Sequence, residues 1–211
     1  GVLNPDDVQK AIREANIHYP TPRLVVVENT HNLGGGTVTP VETGYDICSI
    51  AKDNGLSTHL DGARIFNAAI ALGADVKEVV KPFDSVMFCL SKGLSAPIGS
   101  VVVGSYDFIE RARKYRKMLG GGMRQAGIIA AAGIVALENM VARLEEDNIN
   151  ARYLGEKLSL IKGIKVILET VQTNMVYFDV KELGFDSNSF ACELEKYKIK
   201  ASLRPPTSIR M

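Results

Sequence analysis

The chain has 211 residues, 46% of them hydrophobic and 23% charged, with a formal net charge of +1. That apolar content suffices for one large domain or two small ones, and the near-neutral total gives no general attraction to nucleic acid or to a membrane surface. No run approaches the roughly 20 apolar residues needed to span a bilayer, and residues 1–20 lack the basic start and apolar core of a signal peptide. The cysteines at 48, 89 and 192 are odd in number and carry no metal-type spacing, so no metal is expected and a reducing cytoplasm is the expected compartment.

The first segment opens as a helix over 5–16. Asn4 can cap it, Pro5 suits its first turn, Asp6 and Asp7 favour the positive end of the dipole, and His18-Tyr19-Pro20 closes it. The continuous β-branched run from Arg23 to Glu28 reads as a buried strand. It ends in Asn29-Thr30-His31-Asn32 and then Gly34-Gly35-Gly36, a polar tip followed by glycines that let backbone come close to a ligand. Thr39-Pro40-Val41-Glu42 has the form of a capping box, opening a helix that runs to about Asn54 and stops at Gly55. A strand follows, ending at Asp61, then a helix from near Arg64 that Gly73 stops. A short helical turn from Asp75 is halted by Pro82. Ser85–Leu90 is the next strand, and Gly99–Gly104 pairs with it as the return of a hairpin-like connection.

Tyr106–Met118 carries Arg111, Arg113, Lys114, Arg116 and Lys117, the pattern of a solvated helix face. Gly120-Gly121-Gly122 lacks the order of a dinucleotide or phosphate-loop motif. Ala126–Leu137 is apolar throughout and reads as a helix buried on all sides. It is followed by an amphipathic stretch that continues into Leu154–Ile161. Composition then changes. Lys165–Val171, Asn174–Val180 and Ile199–Arg204 read as strands around a helix at 187–197, a β-β-α-β order that suits a smaller α+β unit. The expected division is 1–142 for a large domain and 143–211 for a small one.

The runs at 58–67 and 85–94 end in Asp61-Gly62-Ala63-Arg64 and in Ser91-Lys92-Gly93. Taken singly, the first reads as a turn and the second as a solvated loop. At the ends of two parallel strands they can face one pocket, because ligands of open parallel sheets sit beyond the strands' carboxyl ends. An acid beside a ring nitrogen and a lysine for a Schiff base are the requirements of pyridoxal phosphate, and Asp61 and Lys92 would meet them, with Arg64 in the same pocket.

Four blocks carry a resemblance: Glu28-Asn29-Thr30-His31-Asn32, His59-Leu60-Asp61-Gly62-Ala63-Arg64-Ile65-Phe66-Asn67, Cys89-Leu90-Ser91-Lys92-Gly93-Leu94 and Leu119-Gly120-Gly121-Gly122-Met123-Arg124-Gln125. In this order the sequence resembles the threonine aldolases, pyridoxal-phosphate lyases of the aspartate-aminotransferase superfamily. The resemblance implies a three-layer α/β/α large domain of the pyridoxal-phosphate transferase type, here incomplete, followed by part of a small α+β domain. It implies cleavage of L-threonine or L-allo-threonine to glycine and acetaldehyde, a role in threonine breakdown and glycine supply, and a homo-oligomer built as a dimer of dimers. Lys92 and Asp61 would be catalytic. Lys92, Asp61, Arg64, Ser91, Lys117 and Arg124 would bind the cofactor, with Arg124 reaching it from a neighbouring subunit, and Arg64 and Arg210 would hold the substrate carboxylate. His18, His31 and Asn32 are further pocket candidates.

Other readings stay open at this level: a related lyase acting on another β-substituted amino acid, or an inert cofactor-binding α/β module. The resemblance covers the middle and later part of the family's pattern. A phosphate-binding turn is expected upstream of residue 1, the strand that stops at Met211 is expected to leave the small sheet with an unpaired edge, and the isolated chain is expected to show almost no aldolase activity.

Overall fold

The computed structural model describes residues 1–211. Its first part runs α1 (Pro5–Ala11), β1 (Leu24–Glu28), α2 (Val41–Asp53), β2 (Ser57–Asp61), α3 (Ile65–Leu72), α4 (Val76–Val80), β3 (Ser85–Cys89), β4 (Ser100–Gly104) and α5 (Tyr106–Met118). The strands form one sheet in the order β1-β2-β3-β4. β1, β2 and β3 are parallel, with Glu28 opposite Asp61 and Asp61 opposite Met87, and β4 returns antiparallel to β3 as the sequence implies.

Successive side chains on a strand point to opposite faces. Val27, Leu60 and Val86 share one face and are buried against Ile47 of α2, Ile65 and Ala68 of α3 and Val79 of α4. These helices form one layer over the sheet. The opposite face is more open: Leu24 is 54% and Val26 50% exposed. The continuous apolar run of β1 therefore belongs to a strand buried on one side only, with Val27 as its fully buried residue. The fold class is α/β with a mixed sheet, of the type expected.

Three local expectations are corrected. α1 ends at Ala11 rather than near residue 16, because Val8 is its sole buried side chain and residues 13–16 are exposed. Asn4 does cap it, accepting from the Asp6 N–H at 2.8 Å. Thr39 caps no helix: α2 starts at Val41 after Pro40, without a side-chain cap. The Thr39 backbone is occupied by the Asn29 carboxamide, which accepts from its N–H and donates to its C=O, both at 3.2 Å. The third correction concerns α6 (Gly127–Asn139). It is apolar on every side yet largely solvent-facing, with Ile128 86% exposed and only Gly133 and Ala136 buried. One narrow stripe of small residues packs near Leu90, and nothing covers the rest.

The second part comprises α7 (Leu144–Ser159), β5 (Lys165–Val166), β6 (Tyr177–Asp179), α8 (Ser187–Lys196), β7 (Ser202–Arg204) and β8 (Ser208–Arg210). The predicted strands at 165–171, 174–180 and 199–204 are present but shorter, and Leu168–Thr170 forms a 3₁₀ turn. The sheet order is β5-β6-β8-β7, antiparallel throughout. The last strand is therefore central, and the expected open edge at the end of the chain is wrong: the edges are β5 and β7. Pro205-Pro206 separates β7 from β8, and this break lets the chain fold back as a hairpin rather than extend as one strand. Val176, Phe178, Val180 and Ile209 make this sheet's core with Ala151 of α7.

Helix α7 joins the two sheets. At its start Leu144 is 1% exposed and packs with Leu90 and Leu94 beyond β3. One turn on, Asn148 and the buried Asn67 of α3 exchange hydrogen bonds at 3.1 and 3.2 Å. Its later half carries Ala151 into the second core.

The start of β8 is pinned by Asp179, whose carboxylate accepts from the Thr207 hydroxyl at 2.5 Å, the Ser208 hydroxyl at 3.3 Å and the Lys181 N–H at 2.8 Å. The Thr207 hydroxyl chiefly holds its pKa below the usual carboxylate range. A depressed folded pKa stabilises the fold above the unfolded value of about 4 and ceases to do so as pH falls through the folded value. Asp179→Asn is expected to be less stable than the parent chain at neutral pH, with the gap closing in acid. Urea unfolding at both pH values checks this, and an equal gap at both would count against it.

Candidate active site

Because β1, β2 and β3 are parallel, Glu28, Asp61 and Cys89 end at the same edge of the sheet. The segments that follow, 29–32, 62–64 and 90–93, are brought together there. Asp61 is half-buried, and one of its oxygens accepts from the Ala63 N–H at 3.1 Å. Its second oxygen takes no protein donor. Gly62 must lack a side chain. Its N–H donates to the Met87 carbonyl at 2.8 Å, and a Cβ there would lie 2.8 Å from that same oxygen. This close approach stitches the Asp61 turn to β3.

Asp61 lines a cavity of about 320 Å³ with Glu28, His31 and Thr39. His31 Nε2 stands 3.6 Å from Glu28 Oε2, and its buried Nδ1 has no partner. Arg64 lines a second cavity, of about 350 Å³, with Arg210, Lys200, Ser202 and Asn174. Arg64 and Arg210 form no ion pair, and the buried Arg64 Nε finds no acceptor. The pKa of Arg64 is lowered, first by burial and then by the charge of Arg210, with Glu28 among the groups acting in the opposite sense. Two half-buried guanidinium groups thus face one space without a carboxylate between them.

Asn32 is hydrogen-bonded to a lining residue of each cavity. Its N–H donates to Glu28 Oε1 at 3.0 Å, and its Oδ1 accepts from Arg210 Nη1 at 2.8 Å and from the Tyr177 hydroxyl at 3.2 Å. The structure therefore brings Asp61, Arg64, His31, Asn32 and Arg210 into one region. Ser91 and Lys92 are exposed in the loop after β3, next to the Asp61 strand end, and line neither cavity. Lys117, Arg124 and His18 are exposed and likewise line neither. A roomier groove of about 520 Å³, between α3 and α7, is lined by Ile70, Glu145, Ile149 and Arg152 and holds none of the candidate residues.

Glu28, Tyr177 and Ser202 were not singled out by sequence reasoning. Glu28 had a usable signal, since it ends an apolar strand as Asp61 does. Tyr177 and Ser202 flank Arg210 only through the register of β8, which the sequence did not separate from the preceding strand.

These residues suit pyridoxal phosphate. Lys92 offers an unpaired amine, Asp61 a free carboxylate oxygen, and Arg64 an unpartnered N–H. The comparison with known proteins agrees. The beta-eliminating lyase family model matches residues 1–181. The chain belongs to the beta-eliminating lyase family. Within it, the chain is 47% identical over 184 residues to low-specificity L-threonine aldolase 1 of Arabidopsis thaliana, covering 86% of this chain and 51% of that protein. It is 46% identical over 182 residues to the low specificity L-threonine aldolase of Escherichia coli K12, covering 86% of this chain and 53% of that one. The chain spans about half the length of the curated relatives it matches. The solved threonine aldolase of Leishmania major shares the fold, with a TM-score of 0.74 at 20% identity over 99% of this chain and 61% of that one.

The position of Lys92 in this family member depends on its neighbour Gly93. A Cβ on Gly93 would lie 2.6 Å from Leu144 Cδ2, and Leu144 is too buried to move aside freely. Gly93→Ala is expected to destabilise the protein by about 1–3 kcal/mol through overpacking. Gly127→Ala, where a Cβ meets nothing within 4 Å, is expected to be tolerated. Denaturant midpoints of the two variants check the contrast.

Proposed function

We propose that the protein is a pyridoxal-phosphate-dependent aldehyde-lyase that cleaves L-threonine or L-allo-threonine to glycine and acetaldehyde. The observation that carries this reading is that Asp61, and the segments that carry Arg64 and Lys92, follow neighbouring parallel strands at one sheet edge, with Arg64 and Arg210 lining one cavity, in a chain 46–47% identical to low-specificity L-threonine aldolases. When bound, the cofactor supplies a sink for the electron pair released by the breaking Cα–Cβ bond.

Each residue then has a task set by its chemistry. Lys92 would hold the cofactor through its amine. Asp61 would favour a proton on the ring nitrogen, which matters most when charge accumulates in the transition state. Arg64 and Arg210 orient the substrate by its carboxylate, for which a guanidinium's paired donors are suited. Ser91 belongs to the cofactor loop. Lys117 and Arg124 serve a site completed by a second subunit, consistent with their exposure and with the uncovered apolar surface of neighbouring α6. A homo-oligomer, a cytoplasmic location, and domains at 1–142 and 143–211 belong to the same reading.

Turnover of threonine, allo-threonine, phenylserine and serine by the whole protein, rather than by residues 1–211 alone, tests the function, and preference for serine elimination over acetaldehyde release would overturn it. Lys92→Ala is expected to keep the fold and lose the cofactor adduct fixed by borohydride. Mass spectrometry finding that adduct on another lysine would refute the assignment. Asp61→Asn keeps the shape but cannot hold the ring proton. It is expected to lower kcat by about 100-fold or more, in the range for loss of one preorganised electrostatic group, with a smaller effect on cofactor affinity. Steady-state kinetics and a cofactor titration separate the two effects.

A further inference from the structure

We infer that Asn32 is a positioning residue that, together with Tyr177, aims Arg210 at the substrate carboxylate. This rests on the proposed carboxylate role of Arg210 and extends it to residues that touch no substrate.

The argument begins with strand register. Arg210 lies directly opposite Tyr177 on β6 and Ser202 on β7. Directly opposed residues of antiparallel neighbours project from the same face, so the three form a row across the sheet. The row is joined by hydrogen bonds: Arg210 Nη2 donates to the Ser202 hydroxyl at 3.2 Å, and Arg210 Nη1 donates to Asn32 Oδ1 at 2.8 Å. Tyr177 donates to the same Asn32 oxygen at 3.2 Å. A carboxamide oxygen has two lone pairs, and here both are used.

The neutrality of these acceptors matters. A carboxylate at position 32 would also hold Arg210, but as an ion pair that cancels its charge. The carboxamide fixes the guanidinium by direction and leaves its positive charge for the cavity shared with Arg64. The pKa of Arg64 is lowered first by burial and then by the charge of Arg210, as the proximity of the two cations requires. Asn32 is itself fixed, since its N–H is held by Glu28 at the end of β1, opposite Asp61. One residue, through its backbone N–H to Glu28 and its side-chain oxygen to Arg210, therefore ties the orientation of Arg210, in the second sheet, to the strand edge that carries Asp61, in the first.

The test uses the whole protein loaded with pyridoxal phosphate and titrated with glycine and with glycinamide, which lacks the carboxylate. Binding is followed by the change in cofactor absorbance. The parent protein is expected to prefer glycine. Asn32→Ala is expected to reduce that preference about tenfold, the loss of one hydrogen bond to a charged group, and Tyr177→Phe to reduce it less. Asn32→Asp keeps the shape and an acceptor, so it remains informative should the alanine variant fold poorly. Its added charge is expected to reduce the preference at least as far. A merely structural role would weaken both ligands together and leave their ratio intact. An intact ratio in Asn32→Ala, or in Asn32→Asp, overturns the assignment to Asn32 while leaving the carboxylate reading standing. No preference in the parent protein overturns the carboxylate reading, and the Asn32 proposal with it.

Discussion

The parallel pairing of β1, β2 and β3 is the constraint on which the site depends. Parallel strands must each be followed by a crossover that returns to the starting edge, and α2 and the α3–α4 pair do this here. The cost is a large segment of chain for each strand. The result is that every strand delivers its last residue to the same edge, so that Glu28, Asp61 and the Lys92 loop are neighbours despite their separation in sequence. An antiparallel sheet would alternate these ends between two edges.

A second constraint is electrostatic. Half-buried guanidinium groups without counter-ions are unfavourable, because desolvation is not offset by pairing. The structure tolerates Arg64 and Arg210 by supplying neutral acceptors to Arg210 and by keeping both beside open space. Such an arrangement contributes little to folding. Its benefit appears on binding an anion, when the repulsion between the two cations is relieved. Stability is accordingly carried elsewhere, by the apolar contacts of Ile47, Leu60 and Ile65 in one core and Phe178 and Ile209 in the other.

The sequence revealed the first sheet better than the second, for physical reasons. In the first, apolar runs, glycine stops and the Asn4 cap are local signals, and the strands at Asp61 and Cys89 fall where those signals place them. The position of Asp61 at a strand end, and of Lys92 in the loop after the next strand, was legible because motif and strand end coincide. Tertiary effects defeated the local rules at Thr39, whose backbone pairs with a distant carboxamide, and at α6, whose composition implies burial that its surroundings do not provide. The Arg210 row was illegible for a different reason. It depends on which strands lie side by side in the second sheet, and strands of two or three residues leave too weak a periodicity to reveal their partners.

The central place of β8 bears on how this sheet is assembled. Residues 202–210 form a hairpin that enters the sheet through β8, beside β6, so the side of β6 facing β8 stays unpaired until that hairpin docks. On a ribosome β6 is made well before β8, so Phe178 and its strand wait with their hydrogen-bonding groups exposed. That interval offers a template to any other extended segment. The hairpin's own turn, held to Asp179 by Thr207 and Ser208, shortens the search because docking at one end sets the register of the rest. Contacts remote from the Arg210 row thus decide when the second sheet ceases to be open to wrong partners.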